Sequence, residues 1–255
     1  MLPPPPASLK LSPFYKQWLD AGGIPIVASE KVSPYALQEA RFLMDRLLEK
    51  RSDVRKAIAR AGVRVAIMAT SERTTDIPEH SDLTPKDYWD RRARGLGATR
   101  WRPAISGAEE SILNAPGDPY LGESIFLHEF SHTVDEMGLR KVESDFESHL
   151  RACYDAALKA GLWKDTYAAT NISEYWAEGV QSFLDANQAR LNPSHNGIWN
   201  REKLRTYDPA FYALIEKSLR ISWRYKPWQS RPEAERKHLK GLDITTLPTF
   251  SWEKR

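Results

Sequence analysis

The chain has 255 residues, 41% of them hydrophobic, and a formal net charge of +3. That length suits one large domain or two small ones, and so weak a charge argues neither for nor against a polyanionic partner. A single cysteine, Cys153, excludes an internal disulfide and any multi-cysteine zinc site, and no apolar run approaches membrane-spanning length.

The first residues, MLPPPPASLKLSP, lack the charged start, apolar core and cleavage site of a signal peptide. Their prolines favour an extended segment. Two readings stand. Either this is a spacer left after a targeting segment was removed, which would place the protein in a secreted or periplasmic setting, or it is an ordinary terminus of a cytoplasmic protein. Residues 1–20 are expected as a Pro-rich extension and residues 21–255 as a single domain.

Residues 23–32 read as a strand. A helix is expected over 33–62, with Ser33 and Pro34 at its start, apolar residues three and four apart, and Gly62 at its end. VRVAIMAT (63–70) alternates and is rich in β-branched residues, so a second strand follows. The polar stretch 71–103 contains Arg91, Arg92, Arg94, Arg100 and Arg102 beside Trp89 and Trp101. It is either a cleft wall that meets acidic substrate groups or a solvated basic loop. No nucleic-acid-binding motif accompanies it.

A further strand is expected over 108–114. Asp118 and Pro119 then suit the start of a helix that ends at Gly138. Residues 142–240 are mostly helical in pattern, broken at LNPSHNG (191–197). The fold class expected is α+β, a small mixed sheet packed on helices with a mostly helical C-terminal half.

Within IFLHEFSHTV (125–134), His128 and His132 are four residues apart, so on a helix their imidazoles share one face. Zn²⁺ takes such nitrogen ligands and leaves a position for water. Glu129 leans beside the pair, where it can take a proton from that water without being a ligand. A third ligand is still needed. His149 is the nearest downstream histidine, but the compact three-histidine pattern needs one within 133–143 and none is there. In TNISEYWAEGVQSFLDAN (170–187), Glu174, Glu178, Gln181 and Asp185 form one stripe, with Trp176, Val180 and Phe183 on another face. Glu174 is the expected third ligand. Its competing role is a capping box with Asn171. Glu178, one turn on, suits the orienting of a ligand histidine, its other reading being a solvated glutamate. Asn171-Ile-Ser also matches the short glycosylation pattern.

HEFSH followed by YAATNISEYWAE resembles the gluzincin metallopeptidases, and above all the catalytic domain of anthrax lethal factor and its bacterial relatives. The resemblance covers about residues 125–183, with Glu174 following His132 by 42 positions. It implies a zincin-like fold, one Zn²⁺ on His128, His132 and Glu174, and a peptide or protein substrate. It also implies that Tyr167 lies near the metal and hydrogen-bonds the developing oxyanion. The toxin's other domains have no counterpart, so toxin function is not implied. An amidase acting on a non-peptide or unusual peptide substrate stays open, as does a binding protein whose metal only braces the fold.

Overall fold

The computed structural model describes residues 2–192 and 194–253; Met1, Pro193, Lys254 and Arg255 lie outside them. The fold is α+β, built on a mixed sheet of five strands: β1 (Gln17–Asp20), β2 (Pro25–Ala28), β3 (Arg64–Met68), β4 (Gly95–Leu96) and β5 (Ala104–Ala108). The order is β1-β2-β3-β5-β4. β2, β3 and β5 run parallel, and the edge strands β1 and β4 are antiparallel to their neighbours. β1 lies inside the segment expected as an extension. That segment is tied down, because Trp18 N–H donates to the Pro3 carbonyl (2.8 Å).

Side chains alternate across a strand, and here the two faces separate cleanly. Ile26, Val65, Ile67 and Ile105 face the main core, while Val27, Ala66 and Met68 face a smaller one with Tyr15 and Ile77. Over the main face lie the helices: α1 (Pro34–Leu47), α2 (Ser52–Arg60), α5 (Ile125–Thr133), α7 (Phe146–Lys159), α8 (Ile172–Phe183), α9 (Arg201–Tyr207) and α10 (Pro209–Leu219). Among the described residues three short ones complete the set: α3 (Lys86–Arg92), α4 (Glu109–Ile112) and α6 (Arg140–Val142).

Several expected boundaries shift. The helix expected over 33–62 is two helices, broken around Arg51. That side chain is 1% exposed and pairs with Asp53 (2.9 Å) and Glu143 (3.0 Å), so a buried charge finds its partners at the break. The strand expected over 108–114 turns helical at once after Ala108. There the Glu110 carboxylate pairs with buried Arg94 (2.6 Å), and Glu109 accepts the N–H groups of Ser33 (2.7 Å) and Thr70 (3.0 Å). Asp118 caps no long helix; it accepts from the Ser111 hydroxyl and the Tyr120 N–H. Ser124 takes the capping role at the start of α5.

Gly138 is not a stop. The chain continues through a π-helical turn, Val134–Leu139, and Gly138 is there for close approach, since a Cβ would stand 2.6 Å from Val54 Cγ1. The stretch 71–103 carries two 3₁₀ turns, α3 and β4. Beyond α10 the expected helix is replaced by isolated 3₁₀ turns, in a segment interrupted by Pro227 and Pro232. Among the described residues no helix is long and apolar enough to cross a membrane.

Candidate metal centre

α5 is apolar on the sides that meet β5 and α8. Phe126, Leu127 and Phe130 are buried, and that packing leaves His128, Glu129 and His132 along the remaining edge. α8 lies against it, locked by Trp176, whose indole N–H donates to the Ser131 carbonyl (2.9 Å). This register brings Glu174, in the first turn of α8, opposite both histidines.

Three donor atoms converge. His128 Nε2 is 3.0 Å from Glu174 Oε2, His132 Nε2 is 3.3 Å from the same oxygen, and the two Nε2 atoms are 3.1 Å apart. Bonds of about 2.0–2.1 Å in a tetrahedral zinc site place ligand atoms roughly 3.3–3.4 Å apart, so the triangle matches to within a few tenths of an ångström. Among the described residues this is the one group of three metal-binding side chains with converging donor atoms.

The far edge of each ring is also held. His128 Nδ1 lies 2.8 Å from Gln181 Oε1, and the Gln181 amide is oriented by its own donation to the Ser124 carbonyl (3.2 Å). An acceptor at Nδ1 requires the hydrogen there, which leaves the Nε2 lone pair free for a cation. His132 Nδ1 meets the Ser173 hydroxyl at 2.9 Å. Glu178, expected to orient a histidine, stands 3.6 Å from His128 Nδ1 and is not hydrogen-bonded to it. Gln181, from the same stripe, has that role. Glu178 is buried and not a surface glutamate, accepting from Asn187 (2.9 Å). Asp185 points away to Arg201 and Arg224, and His149 is exposed beside Asp145.

The capping role did not consume Glu174. Asn171 alone caps α8, its side chain accepting from the N–H groups of Ser173 (2.9 Å) and Glu174 (3.0 Å). Burial opposes a charge on Glu174, but His128 and His132 outweigh it and hold its carboxyl well below the usual range. Burial likewise opposes a charge on His128; its hydrogen bond to Glu174 and the charges of Glu129 and Glu178 prevail, raising its pKa to about 10. Protons would therefore compete with any metal for the same nitrogens.

A cleft runs past these residues in two adjoining lobes, of about 330 and 210 Å³. His128, Glu129, Tyr167 and Arg92 border both. Tyr167 donates to Glu174 Oε1 at 3.1 Å, and burial followed by the Glu174 charge raises its pKa, so it stays a proton donor. The larger lobe adds Tyr120, Glu123, Glu178 and His195. His195 Nε2 lies between Glu178 (3.7 Å) and Glu123 (3.8 Å). Sequence reasoning missed His195, Glu123 and Tyr120, which carry no local spacing signal. Within the expected break at 191–197, the Ser194 carbonyl accepts from the Tyr167 N–H (2.9 Å), and this ties the His195 segment to the site.

β4 closes the other side. A Cβ on Gly95 would stand 3.0 Å from Glu129 Cγ, and one on Gly97 would stand 2.9 Å from His132 Cβ, so two glycines let this segment press on the histidine-bearing helix.

No protein-family profile matches the chain, and no curated protein matches it in sequence.

Proposed function

We propose that the protein is a zinc-dependent hydrolase of the zincin type that cleaves peptide bonds. The observation that carries the reading is the 3.0–3.3 Å triangle of His128, His132 and Glu174 donor atoms with Glu129 on the cleft side of the same helix. The order of HEFSH, Tyr167 and Glu174 along the chain supports a gluzincin-like assignment.

His128 and His132 would hold Zn²⁺ through Nε2, and Glu174 through Oε2. When bound there, zinc supplies a Lewis acid that polarises a carbonyl and lowers the pKa of water to about 7. Glu129 takes the proton from the attacking water and passes it to the leaving amine. Tyr167 offers a phenol proton at the cleft, suited to the oxygen on which negative charge develops. Gln181 and Ser173 keep both imidazoles aimed.

The test couples metal content to turnover. Wild-type protein is expected to hold one zinc per chain by elemental analysis, and His128→Ala to lose it. Glu129→Gln is expected to keep the zinc and the melting temperature while turnover falls by about 10²–10⁴. A panel of peptides beside small amides reads the bond class. A protein without metal, or a Glu129→Gln variant as active as wild type, overturns the reading; the second result leaves a metal that only braces the fold.

A further inference from the structure

We infer that Arg92 reads a carboxylate on the substrate, beside the bond that is cut. This rests on the metallohydrolase reading and adds the substrate feature that the cleft selects.

The five arginines of 88–102 have different fates. Arg94 is fully buried with Glu110 and lies over Phe250. Arg102 is committed to Asp82 (2.6 Å), and Arg100 lies over the exposed Trp101. Arg94 and Arg102 hold the segment together, and Arg100 sits on its exposed neighbour. Arg91 borders neither lobe, whereas Arg92 borders both, together with His128, Glu129 and Tyr167. Its charge is felt by the Tyr167 phenol.

Among the described residues the Arg92 guanidinium meets no carboxylate within ion-pairing distance; it rests over the Trp89 ring at 5.6 Å. A planar fork of N–H donors, held over an aromatic ring and unpaired, matches a carboxylate in two-point geometry. Glu123, Glu178, Glu129 and Glu174 make the rest of the cleft acidic. An anion that does not bind the metal or His195 is therefore best accepted at Arg92, away from these carboxylates, which gives position as well as affinity. The carboxylate can come from an acidic side chain or from the end of the peptide.

The probe is succinic acid monohydroxamate against the corresponding amide-hydroxamate, with binding measured on zinc-loaded protein of verified metal content. The acid is expected to bind wild type about tenfold or more tighter than the amide. Arg92→Gln is expected to lose that preference without losing zinc, and Arg92→Lys to restore part of it. Equal binding of acid and amide to zinc-loaded wild type, or a preference that survives in Arg92→Gln, overturns this inference alone. Failure to bind zinc overturns it together with the hydrolase reading. Peptides with Glu or Gln flanking the cut, and with free or amidated ends, distinguish the two sources. Dependence on either supports the role of Arg92, and indifference to both overturns it.

Discussion

At His128 one imidazole does two things on opposite edges: Nδ1 bonds to Gln181 and Nε2 faces Glu174. His80 is the contrasting case. It is 0% exposed, and among the described residues neither ring nitrogen has a hydrogen-bond partner. Burial, and then the charge of Arg102, lower its pKa to about 4. The sign follows directly. Between about pH 4 and 6.5 the unfolded chain binds a proton at this position that the folded chain refuses, so stability is full above 6.5 and lost as pH falls toward 4. Glu109 and Asp118, raised by burial to about 7 and about 6, act in the opposite sense. Their effect cancels when two proteins that share them are compared. Urea unfolding at pH 7.5 and 4.5 is expected to show wild type losing up to about 3 kcal/mol more than His80→Leu. Equal losses in the two proteins would refute the assignment.

The site depends on how α5, α8 and β4 are pressed together. α5 and α8 each present donors at helical spacing, but a triangle forms only because Trp176 and its bond to Ser131 set the register between them. The chain just after β4 then lies close enough that Gly97 has no room for a methyl group beside His132. Gly97→Ala is therefore expected to push His132 out of the triangle. Zinc affinity, measured by chelator competition, should fall by roughly 10–100-fold, with a stability loss of about 1–3 kcal/mol. Unchanged affinity would show that the contact is slack and that β4 does not support the site.

Across the whole molecule, the C-terminal segment lacks long helices and is held by polar staples. Glu39 on α1 is fully buried and pairs with Arg231, while His238 reaches the same carboxylate at 2.7 Å and stacks on Phe42. Further along, Phe250 sits under Arg94 and Arg73, so the tail braces the segment that carries Arg92. Removing Arg231 strips the buried Glu39 carboxylate of its guanidinium partner and leaves it the bond to His238. Arg231→Ala is expected to cost about 3–5 kcal/mol, read as a lower denaturation midpoint. A midpoint within error of wild type would mean that the tail is not part of the folded unit's stability.

Some of this is legible in the amino-acid sequence. The spacing of His128, Glu129 and His132, the stripe from Glu174 to Gln181 and the α+β class follow from periodicities of 3.6 and 2, which are local properties of the chain. Glu174 could be named, and its rival role as a cap was settled by one side chain, Asn171, doing that work alone. The tertiary structure decided what depends on distance between remote segments. It chose Gln181 over Glu178 at His128 Nδ1, brought His195 to the cleft, and turned Gly138 from a stop into a point of close packing. It also sorted five similar arginines into buried, bonded and free. A sequence carries spacing along one helix, but the register between two helices is set by how their apolar faces interlock, and that is a property of the packed core.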